Sequence, residues 1–363
     1  MKKIIISISL LLLILSAGCG NQKEAETIKI GSILILTGEG AAWGNAARNG
    51  IDLAVEEINA AGGINGKPLE VVHEDDQSDA KKAISAFHKL TDLDGIDIII
   101  GTTWSHTGIP LVQLADEKQI LMISPSLGMK EFNEGSKYLF NTWPHDYYLS
   151  QNLADYVYEK GHRKVAVIGA EQIWVKDQTT AFTKRFEELG GSVEVLVEPL
   201  PTSKDVYSDA LKIKAAKDID AIVSTTDGVL VGTLVAKELK TLGVDLPIYS
   251  ITIDADTLAA AQGAYEGMQF LTYLTPTEEF EKKYEERFGM PIDIGADSAY
   301  DAVMLIAQAM RETGSTDTNV LQTYLNSIES YEGASGNLTA DGKGGFTKDC
   351  IAIEVRNGEM MKI

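Results

Sequence analysis

Short runs of hydrophobic residues alternate along the chain with longer stretches in which apolar residues recur every three or four positions. The first run, Ile28–Leu36, predicts a buried strand. Ile51, Val55 and Ile58 then share one face of a helix predicted over 43–60. A strand followed by an amphipathic helix is the repeating unit of an α/β protein.

The same alternation continues to the C-terminus. Further strands are predicted at 69–73, 96–100, 120–123, 165–168, 193–198, 221–224, 248–251, 268–273, 351–355 and 360–363. Further helices are predicted over 78–90 with Ser78 as the N-cap, and over 107–118, 149–160, 179–189, 207–216, 229–242, 277–288 and 296–312. Regular alternation of this kind indicates mainly parallel sheets with helices on both faces. Since a domain averages roughly 150 residues, 363 residues predict two α/β lobes.

The N-terminal segment carries a targeting signal. Two lysines precede the apolar run Ile4–Leu15, and small residues then lead to Cys19. Such a segment is typical of a secretory signal and is too short to span a membrane. It resembles a bacterial lipoprotein signal, in which the Cys carries the lipid; ordinary cleavage near Ala17 is the alternative. We therefore predict a signal peptide at 1–18, a lipid anchor and tether at 19–27, and an extracytoplasmic protein attached to the cell membrane.

The charge of the chain bears on its partners. It has 53 acidic and 32 basic residues, a net charge of −21. Binding to a phosphate backbone needs clustered lysine and arginine, so nucleic acid is not an expected partner.

Signs of catalysis are weak. Gly38, Gly40 and Gly44 approximate a dinucleotide-binding fingerprint, but Trp43 stands where a Gly or Ala is required, and export removes the cofactor pool. No nucleophile elbow, phosphate-binding loop or metal-ligand spacing occurs, and the five histidines are scattered. Cys350 begins an alternating apolar stretch, which favours a buried strand thiol over a reactive one. The prediction is a protein that is not an enzyme and holds no cofactor or metal.

A set of ordered fragments points to a known family. They are Ile28-Lys-Ile-Gly, Leu36-Thr-Gly, Trp43-Gly44, Asn49-Gly50, Ala54-Val-Glu-Glu-Ile-Asn59, Gly62-Gly-Ile-Asn-Gly66, Glu74-Asp-Asp-Gln-Ser-Asp79, Ile100-Gly101, Ile123-Ser-Pro-Ser126, Asp155-Tyr156, Lys164-Val-Ala-Val167, Glu266-Gly267, Tyr300-Asp-Ala302 and Gly336-Asn-Leu338. In order and spacing they resemble the extracellular solute-binding proteins of branched-chain amino-acid ABC transporters. The resemblance runs from about Ile28 to the C-terminus.

This resemblance implies a type I periplasmic-binding-protein fold, with two Rossmann-like lobes joined by three crossovers and a ligand cleft between them. The crossovers would lie near 142–145, 274–276 and 340–346. Lobe 1 would comprise 28–143 plus 277–339, and lobe 2 would comprise 144–276 plus 340–363.

Candidate ligand residues of lobe 1 follow from the same resemblance. Ser105, beside His106 in the loop after a predicted strand, matches a Ser that contacts the ligand carboxylate; an ordinary N-cap is the alternative. Ser126 matches a position whose carbonyl accepts from the ligand amino group. Gly128 stands where a Thr that helps to hold the carboxylate is common. Trp43 matches an aromatic against the ligand side chain, or else packs at the start of its helix.

Candidates of lobe 2 are fewer. Trp174 matches a family Tyr in the loop after 165–168, where an exposed Trp favours stacking in the cleft. Asp227 matches another Tyr position and could pair with an ammonium group, although Asp before Gly is also an ordinary turn. Asp254, chosen over Thr252, covers the place of the acid for the ligand amino group. These departures suggest a ligand that need not be leucine, isoleucine or valine.

The implied function is the capture of a small amino acid or related carboxylate and its delivery to an ABC permease and its ATPase. The expected partners are that small molecule, the permease complex and, through the lipid anchor, the membrane; the predicted state is a monomer. The alternative is a sensory role, or a cargo of amides, urea or aromatic carboxylates.

Overall fold

The computed structural model describes residues 26–226 and 230–363. The predicted signal peptide, Cys19 and Asp227 therefore lie outside the described residues. The strands are β1 Ile28–Leu34, β2 Leu69–Asp75, β3 Ile98–Gly101, β4 Leu121–Ser124, β5 Leu139–Asn141, β6 Lys164–Ile168, β7 Ser192–Val197, β8 Ala221–Ser224, β9 Ile248–Ile251, β10 Gln269–Thr272, β11 Ser330–Gly333, β12 Gly336–Ala340, β13 Phe346–Thr347, β14 Ile351–Arg356 and β15 Glu359–Lys362.

The helices lie mainly between parallel strands, as the sequence predicts. They are α1 Ala41–Ala60, α2 Ala80–His88, α3 Ser105–Gly108, α4 Val112–Lys118, α5 Asp146–Glu159, α6 Ile173–Glu188, α7 Tyr207–Ala215, α8 Leu230–Thr241, α9 Ala255–Ala261, α10 Glu278–Phe288, α11 Ala296–Thr313 and α12 Thr318–Leu325.

Two large sheets organise the chain. The first is a parallel sheet in the order β2-β1-β3-β4-β5. The second has the order β7-β6-β8-β9-β10-β14-β15; its strands β6 to β10 run parallel, and the terminal pair is antiparallel. Strands β3 and β4 are buried along their whole length because helices cover both faces of the first sheet, which explains their unbroken apolar sequences.

A third, smaller sheet in the order β11-β12-β13 was not predicted. Its strands are short, and β11 and β12 lack a buried apolar run. Because β13 pairs with β12, the chain remains hydrogen-bonded to this sheet as far as Thr347, beyond the predicted third crossover at 340–346. Strand β5 and helices α9 and α12 were also missed.

Several predicted details are wrong for local reasons. Asp79, not Ser78, caps α2: its carboxylate accepts from the backbone N–H groups of Lys81 and Lys82, while Ser78 has a positive φ of 58°. The helix predicted over 107–118 is divided by a 3₁₀ turn at Ile109–Leu111, where Pro110 supplies no N–H.

Cys350 is also placed differently from the prediction. It lies one residue before β14 rather than within a strand, and it is half-buried rather than buried. Asn152 Nδ2 lies 3.7 Å from its Sγ. Burial raises the pKa of the thiol, so its environment disfavours the reactive thiolate.

Close packing of α1 against α11 holds one face of the first sheet. Gly50 on α1 faces the carbonyl of Ala296, the first residue of α11, and a Cβ at this position would overlap that oxygen. The apolar core around this contact includes Ile51 and Val303. The glycine is therefore required by the approach of two helix backbones.

We expect Gly50→Ala to lower the free energy of unfolding by about 1–3 kcal/mol, because the added methyl group forces the two helices apart. On an isolated helix the same change would favour folding by about 1 kcal/mol. Chemical denaturation measures the difference, with Arg48→Ala on the exposed side of α1 as the control. A Gly50→Ala protein as stable as the parent would contradict this account of the packing.

Candidate ligand-binding site

A cavity lies at the carboxyl ends of strands from both large sheets, with about 490 Å³ of empty space when the open solvent at its mouth is included. The loops after β3, β4 and β6 reach it, and carboxyl-end loops are where open α/β sheets bind their ligands. Its walls are formed by Trp43, Trp104, Ser105, His106, Ser126, Gly128, Asp146, Gln172, Ile173 and Trp174.

Most of the predicted ligand residues meet in this cavity. The structure brings together Trp43, Ser105, His106, Ser126, Gly128 and Trp174. Asp254 is not one of the lining residues, although it contacts one of them. The fold therefore gathers six scattered positions into one site, while their contacts with a ligand remain a prediction.

Ser105 presents an unused hydroxyl to the cavity. It is only 4% exposed, and its Oγ has no hydrogen-bond partner in the structure. The N-cap of α3 is Trp104, whose carbonyl accepts from the N–H groups of Thr107 and Gly108, so the capping alternative for Ser105 is wrong. A buried hydroxyl without a partner is costly, which favours a ligand as its partner.

The two neighbouring polar residues, by contrast, have internal partners. Ser126 Oγ donates to the carbonyl of Thr103 at 2.8 Å and so joins the loops after β3 and β4. His106 Nε2 lies 3.1 Å from Ser78 Oγ and 3.0 Å from the Ser78 carbonyl oxygen. These contacts with Ser78 fix the orientation of the imidazole ring. These bonds hold the wall of the cavity in place.

Three tryptophans give the cavity its apolar surface. Trp43 and Trp104 meet edge to face, with ring centroids 5.9 Å apart and planes at 88°. Trp174 is the second residue of α6, not a loop residue as predicted, because α6 begins six residues before the predicted start at 179. It packs against the cores on both sides of the cleft. Trp104 was missed, although its position directly before Ser105 could have indicated it.

Asp146 links the walls of the cavity. Its two carboxylate oxygens accept hydrogen bonds from the indole nitrogens of Trp143, at 2.9 Å, and Trp174, at 3.0 Å. Its backbone N–H donates to the carbonyl of Gly128 at 3.0 Å. Burial raises the pKa of Asp146 to about 6, against the lowering effect of both indole bonds. At neutral pH it is thus mostly ionised.

This arrangement explains the glycine at position 128. A Cβ there would overlap Asp146 Oδ2 and lie 2.6 Å from Trp174 Nε1. The space that a threonine side chain would need is therefore filled by the carboxylate and the indole that bonds to it. The glycine at 128 and the tryptophan at 174 thus fit together around the Asp146 carboxylate.

Asp254 forms a bridge across the cleft. Its Oδ2 accepts from Trp43 Nε1 at 2.9 Å, and its Oδ1 accepts from the N–H of Thr257 at 2.6 Å as the N-cap of α9. Trp43 belongs to the helix after β1, in the first sheet, and Asp254 to the loop after β9, in the second. The hydrogen bond therefore connects the parts of the protein built on the two large sheets. Thr252, the alternative position, is buried with its Oγ1 donating to Thr272 Oγ1 at 3.2 Å.

Gln172 was not predicted and carries a second unused group. Its Oε1 is buried without a hydrogen-bond partner, at the N-cap position of α6 next to Trp174. Nothing in the local sequence distinguishes it from a surface glutamine. Asp146 was also missed, because only Trp143 among its partners is local, while Gly128 and Trp174 lie 18 and 28 residues away.

Paired α/β sheets with a cleft at the carboxyl ends of their strands define a two-lobed solute-binding protein. The chain belongs to the periplasmic binding protein family, whose model matches residues 27–358. The resemblance found in the sequence, to solute-binding proteins of branched-chain amino-acid ABC transporters, is thereby confirmed.

Individual relatives agree with this assignment. The chain is 28% identical over 331 residues to the leucine-, isoleucine-, valine-, threonine- and alanine-binding protein of Pseudomonas aeruginosa, covering 88% of this chain and 87% of that protein. It is 27% identical to the Leu/Ile/Val-binding protein BraC3 of Rhizobium johnstonii, covering 90% of each.

A solved structure confirms the type I fold. The branched-chain amino-acid transporter substrate-binding protein LivJ of Streptococcus pneumoniae, in complex with isoleucine, matches with a TM-score of 0.84 and 26% identity. The match covers 93% of this chain and 99% of that one. Within residues 26–226 and 230–363, no helix has the length and apolar character needed to cross a membrane.

Replacing Gly128 tests the link between the glycine and the indole–carboxylate bond. We expect Gly128→Ala to lower the midpoint of thermal unfolding by several degrees and to shift the tryptophan fluorescence, because Asp146 or Trp174 must move. Gly62 is exposed with open space around it, but it is not a suitable control site for a Gly→Ala change, because its φ of 98° would strain an alanine. The better control is Ser85→Ala on an exposed face of α2, which should leave both measurements unchanged.

The raised pKa of Asp146 predicts a pH dependence of stability. Its folded value of about 6 exceeds its ordinary value of 3.8, so the folded state binds more protons between about pH 4 and pH 6. The contribution of this group to the free energy of unfolding therefore falls as pH rises from about 4 to about 7. The fall between pH 5 and pH 7 is about 1 kcal/mol. Urea unfolding of the parent and of Asp146→Asn at both pH values checks this: the variant should lack that component. An equal pH dependence in both proteins would contradict it.

Proposed function

We propose that this chain is the extracytoplasmic solute-binding component of an ABC transporter and that it captures a small amino acid in the cleft described above. The observation that carries the proposal is the buried, unpartnered hydroxyl of Ser105 in a cavity walled by tryptophans. The names of the relatives, which bind branched-chain and other small amino acids, support the same class of ligand.

The chemistry of the cavity suggests how an amino acid would lie in it. Ser105 Oγ can donate to the carboxylate. Asp146 supplies a carboxylate for the ammonium group: each of its oxygens accepts one indole bond, which leaves lone pairs free. The predicted ammonium partner Asp254 is less suited, since it does not line the cavity. Trp43, Trp104 and Trp174 would enclose the side chain.

Binding would favour the closed arrangement of the lobes. The Trp43–Asp254 bond already spans the cleft, and a ligand that contacts walls from both sheets would add interactions available only when the lobes are together. Such a ligand shifts the population towards the closed state by its differential affinity. A permease could then recognise closure through surfaces on both lobes.

The remaining parts of the proposal concern organisation and location. We assign lobe 1 to 28–143 plus 277–339 and lobe 2 to 144–276 plus 340–363, since the two large sheets fall on either side of this division; the small sheet, which continues to Thr347, crosses its last boundary. Lipid attached to Cys19 would hold the protein at the outer face of the cell membrane, as a monomer beside its permease and ATPase. No catalytic step is assigned to it.

Thermal-shift and calorimetric titrations of the chain lacking its first 19 residues, after unfolding and refolding to remove bound ligand, test the proposal. The ligands would be the twenty amino acids, aromatic carboxylates, amides and urea. A ligand present at about 100 times its Kd adds about 2.7 kcal/mol of stability, which gives a clear shift. Shifts with amino acids are the expected result. Shifts only with compounds that lack an α-amino group would overturn the amino-acid assignment and keep a binding role.

Two variants test the site. Ser105→Ala should weaken amino-acid binding about tenfold through loss of one charge-assisted hydrogen bond, and Trp174→Ala should weaken it further through loss of apolar contact. Ser85→Ala is the matched control, because its hydroxyl bonds only to the Lys81 carbonyl on an exposed helix face. Unchanged affinity in both cleft variants would rule out this cavity as the site.

A further inference from the structure

The polar groups of the cavity outnumber those that a simple amino acid uses. An α-carboxylate takes the donor on Ser105, and an α-ammonium group takes the acceptor on Asp146. Gln172 is then left over: the residue lines the same cavity, and its Oε1 is buried and accepts no hydrogen bond from the protein. The inference below rests on the proposed function, because it names the ligand class for that same cleft.

Backbone hydrogen bonds fix the main chain at Gln172. It lies at the N-cap position of α6, yet its side chain makes no capping bond. Its backbone N–H donates to the Ala170 carbonyl, and its own carbonyl accepts from the N–H of Lys176 as α6 begins. The main chain on both sides is thus fixed, with Trp174 placed two residues later against Asp146.

An acceptor of this kind discriminates between ligands of equal shape. When a ligand offers a hydroxyl or N–H, the acceptor is satisfied; when the isosteric ligand offers a methyl group, a desolvated oxygen remains unpaired. Sites built in this way reject the apolar analogue much more strongly than an apolar pocket rejects a polar one. Two of the three indole nitrogens in the cavity wall are already used, because those of Trp43 and Trp174 donate to Asp254 and Asp146.

We propose that Gln172 is a specificity-determining residue whose Oε1 accepts a hydrogen bond from the side chain of the bound amino acid. The cleft accordingly prefers amino acids with a side-chain hydroxyl or amide N–H to apolar amino acids of the same shape. Trp43, Trp104 and Trp174 contact the carbon atoms of that side chain, and Gln172 forms a hydrogen bond with its polar group.

Two isosteric pairs of ligands provide the test. Threonine and valine differ by a hydroxyl in place of a methyl group, and asparagine and leucine have side chains of the same branched outline. Isothermal titration of the refolded chain without its first 19 residues should give tighter binding of the polar member in at least one pair, by about tenfold or more.

A matched variant isolates the role of Gln172. Gln172→Leu keeps the size of the side chain and removes the acceptor, so the preference for the polar ligand should disappear or reverse. Gln113→Leu, an exposed glutamine on α4 that bonds only to Glu117, is the control and should keep the parent's preference. Thermal unfolding of each variant without ligand shows whether the fold is intact.

Each result decides the matter. If valine and leucine bind as tightly as threonine and asparagine in the parent, or if Gln172→Leu keeps the parent's preference, the specificity role is wrong while amino-acid binding by the cleft stands. If none of the four ligands nor any other amino acid binds, the proposed function itself fails, and the role of Gln172 fails with it. Loss of the polar preference in Gln172→Leu alone supports the inference.

Discussion

The carboxylate of Asp146, held by two indole N–H groups, is the interaction on which the rest of the site depends. It fixes Trp174 at the cavity wall and occupies the space where a side chain at position 128 would lie, while the backbone N–H of Asp146 ties the start of α5 to the Gly128 carbonyl. A buried carboxylate without such partners would be strongly disfavoured. The indole bonds therefore allow a mostly ionised acid to remain in the wall of an otherwise apolar cavity.

Acidic side chains also lie near one another at the cleft, and they repel each other. Burial, together with the nearby Asp254 and Asp256, raises the pKa of Asp293 to about 6, and burial with Glu131 does the same for Asp177. The net charge of −21 makes such encounters hard to avoid when the layers of the two sheets come together. The Trp43–Asp254 bond offsets part of this repulsion, because the carboxylate of Asp254 accepts a hydrogen bond from an indole on the opposite side of the cleft.

Two of the buried polar atoms without a protein partner belong to residues that line the cavity. Among the buried acids, Asp301 accepts from the N–H groups of Ala334 and Ser335 and so fastens the small sheet to α11, whereas one oxygen of Asp76 and one of Asp297 have no partner. In the cavity, Ser105 Oγ and Gln172 Oε1 have no such partners. An unmade hydrogen bond lowers the stability of the fold unless a partner outside the chain completes it, and a cavity is where such a partner can enter.

The sequence by itself determined most of the order of strands and helices, because hydrophobic periodicity is a local property and buried parallel strands such as Ile98–Gly101 require apolar runs. Its motifs also located Trp43, Ser105 and Trp174, whose neighbours along the chain mark them. Only the tertiary structure decided the chemistry of the cavity. Asp146 and Gln172 acquire their roles from burial and from residues distant in sequence, and the glycine at 128 makes sense only beside the carboxylate that excludes a side chain there. The small sheet was hidden for the same reason: its strands are short and partly exposed, and they form because the fold brings them together.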